Sequence, residues 1–168
     1  METYLFGTES APNVLIQPVD SHDLEGIENE VKTIRELTDT GFRMIAVRVP
    51  DWNRDLSPWT APAVFGKEGF GDGAGDFLEE ILPLCPDGKA CYIGGYSLAG
   101  LFALWAAYRT GRFAGVAAAS PSVWFPGFHS RVQGIPCAFR IPSASRIRLP
   151  TAAITGFFAF SSRSPRLR

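Results

Sequence analysis

The stretch KACYIGGYSLAGLFALW, residues 89–105, places Ser97 between small residues where the hydrophobic pattern changes. Residues 90–94 form a short apolar run, which is typical of a buried strand. Over residues 97–110 apolar side chains recur at helical spacing, and Gly111 follows at the expected end of the helix. The pattern therefore predicts a strand that turns directly into a helix at Ser97.

The chain on either side repeats this alternation of strand and helix. A helix is expected after Asp20 or Ser21, either of which can cap it, and a shorter helix over 74–82. Alternating elements with continuously apolar strands favour a parallel sheet covered by helices on both faces. We therefore predict a three-layer α/β/α sandwich with a mostly parallel sheet. Its other strands are predicted over Asn13–Val19, 42–49, 114–120 and 136–141.

Composition narrows the class of protein. The 168 residues fit one domain, and 46% hydrophobic residues allow a substantial core. A net charge of −1 gives no reason to expect nucleic acid or membrane as a partner. The N-terminus lacks the pattern of a secretory signal, and no apolar run reaches the ~20 residues that span a bilayer. We expect a cytoplasmic protein with reduced cysteines that pack in the core; these are Cys85, Cys91 and Cys137.

Ser97 has two interpretations. It stands in the pattern G-x-S-x-A, which is a nucleophile elbow when it lies at a strand-to-helix turn. The tight turn would lift the hydroxyl above the sheet, and the Leu98 N–H would face a developing oxyanion. A second oxyanion donor is expected near Asp20 and Ser21, and we assign it to Ser21. Alternatively, Ser97 is only the N-cap of a buried helix.

An irregular stretch over residues 50–73 carries four aromatic residues: Trp52, Trp59, Phe65 and Phe70. Aromatic residues in a long loop either line a binding cleft or cover the core, and the sequence leaves both interpretations open. We assign Trp59 and Phe70 as candidate substrate contacts. The glycines of this stretch do not match a phosphate-binding loop, because no Ser or Thr follows the lysine of GKE.

The segment IGGYSLAGLFALWAAYRTGRFAGVAAASPSVWFPGF resembles the esterase group of the α/β-hydrolase fold that includes esterase D and enterochelin-esterase-like proteins. The resemblance covers roughly residues 13–137. It implies a serine hydrolase of carboxylic esters that needs no metal or organic cofactor, with Ser97 as the nucleophile. It also places Ser120, Ser122 and Trp124 near the mouth of the site, although core packing is an equal alternative for Trp124.

The partners of a catalytic serine are missing at their expected positions. In this fold an acid and then a histidine follow the serine in the chain. No acidic residue occurs after Asp87, and the two histidines are His22 and His129. We therefore expect the hydrolysis of a small-molecule ester to be weak or absent. The alternative function is a non-catalytic domain that binds a small molecule or a protein.

Residues 138–168 differ from the rest of the chain. They contain six arginines but no lysine and no acidic residue. We treat residues 1–137 as the hydrolase-like domain and 138–168 as an atypical tail, and hypothesise translation in a shifted frame after about Phe139. A hydrolase without its last strand and helix would leave a sheet edge uncovered, so we predict self-association through that edge. The arginines also allow contact with an anionic partner, which steep salt dependence would reveal.

Overall fold

The computed structural model of the chain describes residues 1–64 and 66–132. These residues form a five-stranded sheet in the order β1-β3-β2-β4-β5, and all neighbouring strands are parallel except β1 and β3. The predicted mostly parallel sheet is therefore confirmed. The predicted strand over 136–141 and the tail lie outside the described residues. The strands are β1 (Thr3–Gly7), β2 (Asn13–Val19), β3 (Phe42–Arg48), β4 (Ala90–Tyr96) and β5 (Gly115–Ala119).

Helices cover both faces of the sheet. On one face, Ile27 and Val31 of α1 pack against Met44 and Ala46 of β3. On the other face, α3 and α4 join a larger apolar cluster. The predicted three-layer sandwich is thus confirmed for the described part of the chain. Its helices are α1 (Ser21–Leu37), α2 (Trp52–Asp55), α3 (Ala74–Ile81), α4 (Leu98–Arg109) and α5 (Phe128–Val132), with a 3₁₀ turn over Leu82–Leu84.

Helix α1 begins with a reciprocal cap. The Asp20 carboxylate accepts a hydrogen bond from the Asp23 N–H at 2.8 Å, and the Asp23 carboxylate accepts one from the Asp20 N–H at 3.1 Å. Two N–H groups that the helix cannot satisfy are paired in this way. Of the two capping residues that the sequence allowed, Asp20 is the cap, and Ser21 is the first residue of the helix.

Helix α4 is apolar on nearly all sides, and nine of its 12 residues are buried. A helix with this composition must be covered on every side. The sheet lies on one side, and Phe77 of α3 packs against Phe102 with ring centroids 5.4 Å apart. Phe125 and Phe128, from the segment after β5, belong to the same apolar cluster. The helix that follows Ser97 is therefore held between the sheet, α3 and the segment after β5.

Strand β1 was not predicted. It pairs antiparallel with β3, with Thr3 opposite Val47 and Leu5 opposite Ile45. Its five residues alternate between exposed and partly buried positions, as expected for a strand at the edge of a sheet. The partner strand lies about 40 residues further along the chain, so nothing in the local sequence signals the pairing.

Two of the three cysteines lie in the core, as predicted. Cys85 and Cys91 are free thiols and both are buried. Burial, followed by the neighbouring Cys91 thiol, raises the pKa of Cys85 to about 12, so Cys85 stays protonated and unreactive at neutral pH. Cys137 lies outside the described residues. Among helices within residues 1–64 and 66–132, none combines the length and apolar character needed to cross a bilayer.

Candidate active site

The turn from β4 into α4 holds Ser97 in a strained backbone conformation. Its φ is 55° and its ψ is −114°, values that a non-glycine residue rarely adopts and that cost about 1–3 kcal/mol. Such strain persists only where the surroundings impose it, and it is typical of functional sites. The carboxyl edge of the parallel sheet, where Ser97 lies, is also where open α/β sheets bind ligands.

Small residues make this turn possible. A Cβ atom on Gly95 would lie 2.6 Å from both the carbonyl carbon and the Cβ of Ala99. A Cβ atom on Gly100 would lie 3.0 Å from the Gly95 carbonyl oxygen. Helix α4 therefore folds back directly onto the end of β4, which only glycine at position 95 allows.

The Ser97 side chain does not cap helix α4. Although the residue occupies the N-cap position, its hydroxyl makes no hydrogen bond to the helix N–H groups. The Oγ atom instead lies 3.1 Å from Oγ of Ser122. The interpretation of Ser97 as a simple helix cap is therefore wrong, and the residue is partly exposed.

The segment after β5 fixes the backbone of Ser97. The Ser97 N–H donates to the Ala119 carbonyl at 3.0 Å, and the Ser122 N–H donates to the Ser97 carbonyl at 3.0 Å. Ser120, between these two contacts, also has a positive φ, of 42°. Two strained serines thus lie at the ends of neighbouring parallel strands, and β5 with the segment after it sets the position of the turn that follows β4.

The two predicted oxyanion donors begin helices at the same edge of the sheet. Leu98 is the first residue of α4 and Ser21 the first of α1, and the N–H of a first helical residue has no partner within its helix. Their strands, β4 and β2, are parallel neighbours, although the ladder between them ends at Ile16 and Ile93. Pro18, which lacks an N–H, follows in β2.

Four aromatic rings form a cluster beside this edge. The ring centroid of Phe125 lies 5.6 Å from that of Trp59 and 5.0 Å from that of Phe70, both in edge-on contacts. The Phe70 centroid also lies 6.2 Å from that of Trp124. The three predicted substrate contacts are therefore brought together around Phe125, a residue that the sequence analysis did not single out.

The members of the cluster differ in how they are engaged. The Trp59 indole N–H donates to the Pro126 carbonyl at 2.8 Å, and the Arg131 guanidinium lies over its ring at 4.8 Å. Trp59 and Phe70 are partly buried and pack against the core, and their role as substrate contacts stays a prediction. Trp124, by contrast, is 46% exposed and is not a core residue.

An open surface depression of about 480 Å³ lies beside Trp124 and is lined by residues of the segment 123–130, including His129. Ser97 is not part of its lining. Tyr96 and Val123 are also substantially exposed, so apolar surface lies immediately before Ser97 and immediately after Ser122.

Neither histidine hydrogen-bonds Ser97 within the described residues. The His22 side chain is 90% exposed and lies 3.6 Å from the Glu25 carboxylate on α1. His129 is exposed on α5, where its ring contacts Phe128 edge-on. In residues 1–64 and 66–132, no group of three or more His, Cys, Asp or Glu side chains is arranged to hold a metal ion.

Comparison with known proteins supports the fold. A structure of the siderophore hydrolase EstA from Aspergillus nidulans matches 71% of this chain with a TM-score of 0.56 and 24% identity. Lower similarity is found to the enterobactin esterase of Shigella flexneri, with a TM-score of 0.46 and 16% identity over 74% of this chain and 33% of that one. Zea mays acyl-protein thioesterase 2 matches with a TM-score of 0.42 and 14% identity over 64% of this chain and 51% of that one. Neither models of protein families nor curated proteins gave a match.

The chain has an α/β-hydrolase fold. We base this on the order and direction of the strands together with the match to EstA. The matched part of the chain corresponds to 48% of EstA, about half of its length.

Proposed function

We propose that this chain is a serine hydrolase acting on carboxylic esters, with Ser97 as its nucleophile. The observation that carries the proposal is the state of Ser97. Its backbone is strained, with φ 55°, and its hydroxyl does not cap the helix that it begins. A residue selected only to start a helix would have neither property, because a capping serine adopts extended backbone angles and bonds the helix N–H groups.

The reaction would follow the usual course for an activated serine. Ser97 Oγ attacks the ester carbonyl carbon, its proton passes to a base, and the carbonyl oxygen becomes an oxyanion. The N–H groups of Leu98 and Ser21 would donate to that oxyanion, and each such donor supplies about 3 kcal/mol of transition-state stabilisation. Collapse of the tetrahedral intermediate releases the alcohol, and water then hydrolyses the acyl-enzyme.

The mechanism needs a base that accepts the proton of the Ser97 hydroxyl, and this group is its least supported part. No histidine hydrogen-bonds Ser97 in the described residues, and none of residues 88–168 is acidic. An elbow with oxyanion donors still accelerates acyl transfer without a complete triad, by about 10³–10⁴-fold over water in a serine protease. We therefore expect slow ester hydrolysis rather than efficient turnover.

The aromatic residues would serve the substrate in different ways. Trp124 is the candidate for direct contact, since its side chain is 46% exposed and stands two residues after Ser122. Trp59 and Phe70 would act by holding Phe125 and Pro126, which carry Trp124 on the same loop. Trp124→Ala should then raise the KM for an aryl ester, whereas Trp59→Phe should change mainly stability.

Labelling with a fluorophosphonate tests the proposal. The probe forms a covalent bond only with an activated serine, so the purified chain should be labelled and Ser97→Ala should not. Circular dichroism of both proteins establishes that they are folded. A folded wild-type chain that remains unlabelled after prolonged exposure contradicts the proposal.

A second candidate, a non-catalytic binding domain on the hydrolase scaffold, is favoured by one observation. The partner of the Ser97 hydroxyl is another serine, not a base. Such a domain would bind an ester or a related small molecule beside Trp124 without acylation. It would show saturable quenching of tryptophan fluorescence by the ligand together with no fluorophosphonate labelling.

A further inference from the structure

We propose that Ser122 is a positioning residue, which holds the Ser97 hydroxyl in one orientation for attack. This inference rests on the proposed function of Ser97. It is motivated by the 3.1 Å contact between the two Oγ atoms and by the burial of Ser122, whose exposure is 1%. A partly exposed serine hydroxyl without a fixed partner would distribute among three staggered rotamers.

The position of Ser122 is fixed by its backbone. Its N–H donates to the Ser97 carbonyl at 3.0 Å, and its own carbonyl accepts from the Phe125 N–H at 2.9 Å. The first bond ties Ser122 to the elbow, and the second ties it to the aromatic cluster. Main-chain and side-chain contacts therefore join the same two residues, so a displacement of one serine requires a displacement of the other.

A hydroxyl suits both states of the nucleophile. Serine can donate one hydrogen bond and accept others. At rest, Ser122 can accept the proton of the Ser97 hydroxyl. Once a base has taken that proton, the Ser122 O–H can rotate and donate to the negatively charged Ser97 Oγ. Alanine can do neither, and cysteine can do so only weakly.

A second buried serine provides the contrast. Ser57 is also completely buried, but its hydroxyl has no hydrogen-bond partner in the described structure. A serine can therefore be buried in this fold without hydrogen-bonding Ser97. Ser57→Ala is therefore a matched control for Ser122→Ala, because each variant removes one buried oxygen.

The test measures two properties of the full-length chain. The first is the rate of labelling by a fluorophosphonate, which should fall about tenfold in Ser122→Ala, recover in part in Ser122→Cys, and stay unchanged in Ser57→Ala. The second is the pair of α–β proton couplings of Ser97 measured by NMR on serine-labelled protein. They should report one rotamer in the wild type and averaging in Ser122→Ala.

The two readouts separate this inference from the proposed function. If the folded wild type is not labelled, the proposed function fails, and the couplings alone decide whether Ser122 positions the hydroxyl. Unchanged Ser97 couplings in Ser122→Ala overturn the inference, whatever the labelling rate does. A labelling rate that falls equally in Ser57→Ala also overturns it, because the loss would then come from a buried oxygen in general.

Discussion

The turn from β2 into α1 and the turn from β4 into α4 lie one strand apart at the same edge of the sheet. The first passes through Asp20, with φ −103° and ψ −170°, and its carboxylate caps the helix. The second passes through Ser97, with φ 55° and ψ −114°, and its hydroxyl leaves the helix uncapped. The same kind of strand-to-helix connection is thus formed by two different backbone conformations.

The two turns differ in how far local interactions stabilise the start of the helix. At the α1 turn, the backbone angles and the side chain of Asp20 both favour the helix. The N–H groups of Asp20 and Asp23 are each paired with the carboxylate of the other residue. At the α4 turn, the backbone is strained and the helix start receives no side-chain bond. The apolar surface that α4 buries between the sheet and Phe77, Phe125 and Phe128 offsets this loss.

Substitution of Gly95, two residues before Ser97, should disrupt the turn from β4 into α4. Of the substitutions in the two turns, it should lower the free energy of unfolding most. In Gly95→Ala the new Cβ would lie 2.6 Å from backbone and side-chain carbons of Ala99, so strand and helix must separate. We expect a loss of about 3 kcal/mol in the free energy of unfolding, measured with urea. Gly26→Ala in α1 is the control: its Cβ meets open space, so a gain of about 0.5–1 kcal/mol is expected. A loss below 1 kcal/mol for Gly95→Ala would show that the turn relaxes easily.

Relieving the strain at Ser97 should stabilise the protein. In a Ser122→Ala background, which avoids leaving a buried hydroxyl without its partner, Ser97→Gly should raise the free energy of unfolding by about 1.5 kcal/mol. The gain arises because glycine adopts positive φ without a steric penalty. Ser97→Ala in the same background keeps the Cβ atom and should give no gain. Equal stabilities of the two double variants would mean that the backbone of Ser97 is not strained.

Removing the cap of α1 should destabilise the protein by a somewhat smaller amount. Asp20→Ala leaves the Asp23 N–H without its acceptor, at a cost of about 1 kcal/mol in thermal or urea unfolding. Asp20→Asn keeps an acceptor oxygen and should lose much less. If asparagine proves as harmful as alanine, the charge of Asp20 rather than its hydrogen bond starts the helix.

The smallest expected effect is a pH dependence of the free energy of unfolding, which arises from Asp23 in the α1 turn. Burial raises the pKa of the Asp23 carboxyl above its usual value, while the hydrogen bond from the Asp20 N–H opposes the shift. The folded protein then binds this proton more tightly than the unfolded chain does. The contribution of Asp23 to stability therefore increases as pH falls from above the folded-state pKa through the unfolded-state pKa.

Asp23→Asn should remove this dependence while keeping an acceptor for the Asp20 N–H. Relative to wild type, the variant should be most stable near neutral pH and lose that advantage on acidification. Glu28→Gln removes a carboxyl from an exposed position of the same helix and serves as the control. An Asp23→Asn curve parallel to that of the wild type from pH 7 to pH 4 would contradict the expected proton linkage.

The sequence was sufficient to predict features that depend on neighbours in the chain. The change of hydrophobic period at Ser97, a helix cap at Asp20 or Ser21 and the alternation of elements all arise within a few residues. The structure bears them out, with Asp20 as the cap. Strand β1 and the bond between Ser97 and Ser122 depend on residues 25 or more positions apart. The register between separate strands sets such contacts, and no local pattern encodes it.

The aromatic loop shows the same limit. Trp59 and Phe70 were identified as a group by residue type, but their different engagements follow from a segment more than 50 residues later. Core covering and substrate contact require the same residue types, so composition could not separate them. The ring contact between Trp59 and Phe125 and the 46% exposure of Trp124 become visible only in the folded structure.

The bonds from Ser97 to Ala119 and Ser122 have a consequence for the order of events during synthesis. The elbow cannot close when the ribosome has produced only β4 and the beginning of α4, because the groups that hold it are 22 and 25 residues further along. At typical rates of translation, about 5–20 residues per second, the serine remains without its supports for a second or more. The Ser97 backbone and hydroxyl would therefore take their native positions only as β5 and the segment after it dock.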